Sequence, residues 1–141
     1  MFILSDDGLK DFEEQLRKGG IIAPKQLHLQ VPVKFISNGN YTVNEKMFYL
    51  YLWSCGIVKK YGYPGRSKIL ADTGLSISTQ KRLLTRLEEL GGVYVIRRFE
   101  KGTKKKLTNL YYLADISIDG SFDPSSLEII RKVYPNKIYF V

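Results

Sequence analysis

The 141-residue sequence has very few of the residues that build disulfides or cysteine–histidine metal sites. It contains one cysteine, Cys55, and one histidine, His28, so an internal disulfide and a zinc site of cysteine and histidine ligands are both excluded. No apolar run approaches the roughly 20 residues that a membrane-spanning helix needs. The start of the chain, MFILSDDGLKDFEE, turns acidic after four residues, which is the wrong order for a secretory signal. We therefore expect a soluble, cytoplasmic protein.

Groups arranged for catalysis are also missing. Residues 62–65 lack the spacing and the Lys-Ser/Thr ending of a phosphate-binding loop. His28 stands alone on a predicted strand, so no base is expected to activate a serine or cysteine nucleophile. Paired carboxylates occur only as neighbours on predicted helices, where adjacent side chains diverge. The sequence predicts no enzyme, no catalytic residue, no metal site and no cofactor, and Cys55 is expected to be an inert thiol in the core.

What the sequence does contain is positive charge, and this charge is unevenly distributed. Lys and Arg number 22 against 14 Asp and Glu, which gives a net charge of +8 and a pI near 9.5. Residues 59–106 carry a net charge of +9, so the rest of the chain carries −1. Such an excess favours a polyanionic partner, either nucleic acid or an anionic membrane surface. Hydrophobic residues make up 44% of the chain, enough for the core of one compact domain.

The first half of the chain predicts two helices around a strand. Residues 5–18 are typical of a short amphipathic helix, and residues 27–36 alternate as an extended strand does. Thr42 and Glu45 have the spacing of a capping box, in which each side chain bonds the backbone of the other residue. The helix that follows, to about residue 60, is apolar nearly all round, which predicts the most buried element of the fold.

Two shorter helices are predicted next, at residues 66–73 and 77–90. Gly74 supplies the left-handed residue that ends the first, and Ser76 is a suitable N-cap for the second. Two helices joined by a short turn containing glycine are the helix-turn-helix pattern. At 100° per residue, leucines share one stripe of the second helix, and the opposite face is small, polar and basic. A helix that reads base edges in the major groove needs such a face.

A hairpin with a basic tip is predicted directly after the second helix. Residues 93–99 and 109–114 are strands by composition, and the sequence between them, EKGTKKKLT, holds four lysines. A helix-turn-helix followed by a basic hairpin is a winged helix, in which the hairpin reaches phosphates or the minor groove. Phosphates are also expected at the free backbone N–H groups where the second helix begins. The residues expected to contact DNA are Arg66, Lys68, Ser76, Ser78, Thr79, Lys81, Arg82, Thr85, Arg97, Arg98, Lys101, Lys104, Lys105 and Lys106.

Residues 31–113 resemble a known family. VPVKFISNGNYTVNEKMFYLYLW, followed by YPGRSKILADTGLSISTQKRLLTRLEELGGVYVIRRFEKGTKKKLTNLYYL, is similar to the winged-helix domain of plasmid and phage replication initiators and small helix-turn-helix regulators. The resemblance implies sequence-directed binding of double-stranded DNA, in regulation or replication of a mobile element.

The predicted fold is α+β, a winged helix-turn-helix with a three-helix core and a basic wing. We expect this domain to span residues 27–114, with a helical extension at 1–26 and a helix–strand extension at 115–141. In the last extension, Asp123-Pro124 begins a helix with Leu127, Ile130 and Val133 on its inner side. Residues 136–141 are β-prone and are expected to pair with the strand at 27–36 or with a second subunit. A homodimer through the extensions is thus a predicted partner arrangement.

Two other functions compete with duplex DNA binding. The first is binding of RNA or single-stranded nucleic acid, because aromatics interleaved with arginines stack on bases when they are exposed. Packing of the hairpin explains most of these aromatics equally well. They are Tyr94, Phe99, Tyr111 and Tyr112. The second is a protein-interaction module that keeps the winged-helix scaffold, for which a basic helix face is poor evidence.

Overall fold

The computed structural model of the chain describes residues 6–23, 31–57 and 63–141, which form six α-helices and one four-stranded sheet. The mixed α+β class is therefore as predicted. The helices are α1 (Asp6–Lys18), α2 (Val33–Ile36), α3 (Val43–Ile57), α4 (Arg66–Thr73), α5 (Ile77–Glu89) and α6 (Glu128–Val133). The strands are β1 (Gly20–Ile22), β2 (Val93–Phe99), β3 (Leu110–Leu113) and β4 (Ile138–Phe140). A 3₁₀ turn, Pro124–Leu127, directly precedes α6.

The predicted hairpin is the centre of the sheet rather than a free two-stranded wing. The strand order is β1-β3-β2-β4, with β2 and β3 antiparallel and Val93 opposite Leu113. The first strand runs parallel to β3, and β4 runs parallel to β2 with Arg97 opposite Ile138. Two expectations are thereby corrected. The hairpin has a strand on each side, and within the chain the C-terminal strand pairs with β2, a partner that the sequence does not predict.

Local sequence signals for the helix ends are confirmed. The Thr42 N–H donates to Glu45 Oε1 at 2.9 Å and the Glu45 N–H to Thr42 Oγ1 at 3.2 Å, which is the reciprocal capping box. The turn between α4 and α5 begins at Gly74 with φ +77°, a conformation that glycine adopts without strain. The Ser76 hydroxyl accepts from the Thr79 N–H at 3.3 Å and caps α5.

The strand expected at residues 27–36 is wrong for its second half, because residues 33–36 form the helical turn α2. Residues 27–30, which include His28, lie outside the described part of the chain. Phe35 is the buried side chain of α2, and its ring meets those of Tyr49 and Phe122 at 5.8 and 5.7 Å between centroids. Phe35 therefore anchors this turn in the aromatic part of the core.

The predicted central helix is the most buried one, as expected. In α3, Phe48, Tyr49, Leu52 and Trp53 are all at most 2% exposed. Cys55 is also buried, and burial raises the pKa of its thiol. This confirms that the cysteine is a core residue.

The C-terminal extension folds back onto the sheet. Asp123 caps the 3₁₀ turn by accepting from a backbone N–H at 3.0 Å, and Leu127 and Ile130 are buried, as predicted. Val133 is instead 56% exposed. The helix ends at this residue, and the ring of Tyr134 packs inward in place of Val133, 6.2 Å from that of Phe12.

Candidate nucleic-acid interface

The helix α5 has the two-sided character that its sequence predicts. One side lies in the core and the other is open to solvent. Its buried side chains are Gln80, Leu83 and Leu87. Its exposed polar side chains include Ser78, Lys81, Arg82 and Thr85. We call these four residues the outer face of α5. A polar and basic set on a helix with a packed opposite side fits the geometry of a helix that enters a groove.

A buried amide holds α4 and α5 in a fixed relation. Gln80 donates from Nε2 to the carbonyl of Arg66 at 3.1 Å and to that of Leu75 at 2.8 Å. The first residue of α4 and the turn before α5 are therefore tied to the same side chain. Because Gln80 is only 4% exposed, these bonds are shielded from water and restrain the pair of helices.

Among the arginines of α5, one is neutralised and one is not. Arg86 forms ion pairs with Glu45 at 3.5 Å and with Glu89 at 3.1 Å. Neither Lys81 nor Arg82 forms an ion pair with any residue that the structure describes. Both are left to attract an anionic ligand.

Two shallow surface depressions meet at Arg82. One, of about 330 Å³, runs along the outer face of α5, and the other, of about 340 Å³, lies between α5 and the start of α3. Arg82 and Arg86 line both, with Glu89 in the first and Glu45 in the second. The arginine without an acidic partner therefore stands where the surface is concave.

The hydroxyl groups at the start of α5 form hydrogen bonds with one another. The Ser76 hydroxyl caps the helix and lies 2.9 Å from Thr79 Oγ1 and 3.3 Å from Ser78 Oγ.

In α4, Lys68 forms an ion pair with Asp72 at 3.1 Å. The Tyr51 hydroxyl and Lys68 lower the pKa of the Asp72 carboxyl, so this group remains a charged partner of Lys68.

The adjacent residues Arg97 and Arg98 lie on opposite faces of the sheet, because side chains alternate along a strand. Arg98 is 3% exposed and donates from Nε to the carbonyl of Leu16 at 2.8 Å and from Nη1 to that of Thr108 at 2.8 Å. Its Nη2 donates to the carbonyl of Arg17. The expectation that Arg98 contacts DNA is corrected: this guanidinium ties α1 to the sheet and is closed to a partner.

Arg97 is exposed and lies on the same face of the sheet as Tyr111, which is paired with Val95. Tyr111 lies on this face and stacks on Tyr63, just before α4, at 4.1 Å between centroids. Burial raises the pKa of Tyr111, with Glu88 of α5 raising it further and Arg66 of α4 lowering it. Since Tyr63 stacks on Tyr111, the residues that lead into α4 and the side chain of Arg97 lie on the same side of the sheet.

Residues 100–106, in the connection between β2 and β3, are the second basic element, and we call them the basic loop. The Glu100 N–H donates to the Lys105 carbonyl at 2.8 Å and the Lys104 N–H to the Glu100 carbonyl at 2.9 Å, so the loop is folded on itself. Three of its lysines, Lys101, Lys104 and Lys105, are exposed and form no ion pair with a described residue.

Lys106 is held differently from the other lysines of the basic loop. Its Nζ donates to the Leu107 carbonyl at 2.8 Å and to Asn109 Oδ1, and lies 5.4 Å from the centroid of the Phe99 ring. Partial burial, with Arg97 nearby, lowers the pKa of this ammonium. Neither Asn109 nor Phe99 is among the residues predicted to contact duplex DNA, and both contact Lys106 at the base of the loop.

The aromatics that would serve a single-strand binder are mostly inside the protein. Tyr94, Tyr111 and Tyr112 are less than 10% exposed, and Phe99 alone of the four is partly open to solvent. A stacking platform needs exposed rings, so the described part of this hairpin does not provide one.

Comparison of the chain with protein-family models, with curated proteins and with solved structures found no match. In residues 6–23, 31–57 and 63–141, no helix combines the length and apolar character needed to cross a bilayer. The same part of the chain contains no group of three or more side chains that would hold a metal ion. The support for a function therefore comes from the charge and geometry of α5 and the basic loop.

Proposed function

We propose that this protein binds double-stranded DNA in a sequence-directed manner, with α5 in the major groove and the basic loop on the phosphates. The observation that carries the proposal is the outer face of α5. There Lys81 and Arg82 are exposed, have no acidic partner among the described residues, and stand opposite a stripe of buried leucines. Arg and Lys donate to guanine O6 and N7, and Ser or Thr bonds either base.

In this proposal α5 reads base edges and the basic loop contacts phosphates. Side chains on a rigid helix sample few positions, which suits the reading of base edges. Lysines on an exposed loop suit phosphates, because a phosphate contact tolerates variation in geometry and gains from counterion release. Arg97, exposed on the face of the sheet that carries Tyr111, supplies a further phosphate contact between these two elements.

The biological role that we propose is regulation or replication of a phage or plasmid, which follows from the resemblance of residues 31–113. We also propose a homodimer. The symmetry of the preferred DNA site tests both ideas, because a two-fold protein dimer prefers a palindrome and a replication initiator prefers iterated direct repeats.

Selection from a random duplex library, followed by titration at several salt concentrations, tests the proposed function. The expected result is an enriched consensus sequence and a log–log dependence of affinity on salt with a negative slope. Absence of enrichment together with tight binding to single strands would reject the proposal in favour of the single-strand alternative.

A protein-interaction module is the second candidate, and exposed apolar side chains favour it. Val33 in α2 is 81% exposed, and Ile118 in the turn after β3 is 90% exposed. The carbonyl of Gly120 in that turn accepts from Asn38, which follows α2, so the two regions are neighbours. Exposed apolar residues that cluster often mark a protein contact. Replacing Val33 and Ile118 with serine is expected to leave DNA affinity unchanged. A lower DNA affinity in this variant would link the exposed apolar surface to the DNA site.

A further inference from the structure

The C-terminal strand pairs with β2 at the end of β2 that leads into the basic loop. The Arg97 N–H donates to the Lys137 carbonyl at 2.8 Å, and the Val141 N–H donates to the Phe99 carbonyl at 2.8 Å. The Lys101 N–H then donates to the Val141 carbonyl at 3.0 Å. The backbone of Val141 thus bonds both Phe99 and Lys101, the residues on either side of Glu100, where the basic loop begins.

Side-chain contacts also link β4 to the basic loop through Phe99 of β2. The ring of Phe140 lies 5.8 Å from that of Phe99, and the Lys106 ammonium lies 5.4 Å from the centre of the Phe99 ring. On the other side of the loop, the Leu107 N–H donates to the Arg98 carbonyl at 2.9 Å. Phe140 is 49% exposed, so it contributes little to the core. Its contact is with the residue that supports Lys106.

We propose that β4, through Phe140 and the backbone of Val141, positions the basic loop for binding to DNA phosphates. This inference rests on the proposed DNA-binding function. A loop that is ordered before binding does not lose conformational entropy on binding, so its lysines reach their phosphates with higher affinity. The strand itself touches no base, so it changes affinity without changing the preferred sequence.

The test compares Phe140→Ala with Phe140→Tyr, which keeps the ring against Phe99. In the free protein, we expect amide exchange at Lys101 and Val141 to become roughly tenfold faster in Phe140→Ala and to stay unchanged in Phe140→Tyr. Binding by Phe140→Ala is expected to weaken about five- to tenfold, equally on the selected and the random duplex, with the salt slope unchanged because the same lysines contact phosphates in the complex. A thermal melt is expected to change little, since the side chain is half exposed.

The outcomes separate this inference from the proposed function. Unchanged amide exchange in Phe140→Ala, or faster exchange with unchanged DNA affinity, overturns the positioning role while the DNA-binding function stands. A loss confined to the selected duplex also overturns it, because the loop would then be reading sequence. If the unaltered protein binds no duplex at all, the proposed function fails, and the positioning role fails with it.

Discussion

The outer face of α5 and the basic loop carry charge of the same sign, but the fold supports them in different ways. The helix stands on buried side chains, with Leu87 fully buried and Gln80 bonded to the backbone of α4. The loop has no buried side chain of its own and is held at its base by β4 and by the bonds of Lys106. One element is fixed by packing along its length, and the other is fixed by backbone hydrogen bonds within the loop and by contacts where it leaves the sheet.

This difference in support corresponds to a difference in what each element is able to recognise. Base recognition needs donors held within a fraction of an ångström, which packing provides on the helix. Phosphate contact needs charge at the right distance and tolerates motion. Removal of α5 side chains is therefore expected to change specificity, whereas removal of loop lysines is expected to change affinity for every duplex.

The largest expected effect is on the support of α5. Leu87→Ala truncates a fully buried side chain and is expected to lower the free energy of unfolding by roughly 2–5 kcal/mol. DNA binding is expected to fall only to the extent that the domain unfolds. A thermal melt beside a titration at low temperature measures both. Lost affinity in a fully folded variant would show that Leu87 affects the DNA site by more than stability.

The two adjacent arginines of β2 are a matched pair with opposite expected effects. Arg98→Ala leaves the carbonyls of Leu16 and Thr108 without their donor, and is expected to cost about 3 kcal/mol of stability. Arg97→Ala removes an exposed cation and is expected to leave stability unchanged and to weaken DNA binding several-fold. Equal melting temperatures for the two variants would contradict the burial of Arg98.

Local signals explain what the sequence predicts well. The capping box at Thr42, the left-handed Gly74 and the Ser76 cap act within a few residues, so the bounds of α4 agree with the prediction and those of α5 differ by one residue. The leucine stripe needs only the helix period, and it orients the outer face correctly. Most of the candidate site could thus be located before its partners in the fold were known.

What the sequence does not predict depends on distant partners. The alternation in β2 predicts opposite faces for Arg97 and Arg98, but only the packing of α1 makes one of those faces closed. Phe35 packs in the core against aromatic residues that are distant in the sequence. Residues 33–36 therefore form a helical turn, although the alternation of their sequence predicts a strand. The pairing of β4 with β2 is likewise long-range, and a short apolar strand carries no signal for its partner.

A sharper test of the loop replaces Lys101, Lys104, Lys105 and Lys106 with glutamine. Each phosphate contact adds about one unit to the salt slope, so the slope is expected to fall by roughly three to four units. The lower value applies if Lys106 of the unaltered protein stays bound to Asn109 in the complex and contacts no phosphate. Affinity is expected to drop equally for selected and random duplexes. A change in the preferred sequence would show that the loop reads bases.

The corresponding test of α5 is Arg82→Ala. Loss of one good bidentate contact is expected to cost about 1–3 kcal/mol on the selected duplex and much less on random duplex. Folding is expected to be unaffected, because the side chain is exposed and unpaired among the described residues. Equal losses on both duplexes would reduce Arg82 to a phosphate contact. No loss on either would reject α5 as the recognition helix and favour the protein-interaction module.

The smallest expected effect separates capping from phosphate binding at the start of α5. Ser76→Ala removes the acceptor for the Thr79 N–H and is expected to cost about 1 kcal/mol of stability, whereas Ser76→Asp keeps an acceptor there and is expected to retain stability. The aspartate adds a negative charge where a phosphate is proposed to lie, so its DNA affinity is expected to fall roughly tenfold on all duplexes. Thermal melts and titrations of both variants measure the two effects independently. If Ser76→Asp binds DNA as tightly as the unaltered protein, no phosphate lies at this helix end, and Ser76 acts only as a cap.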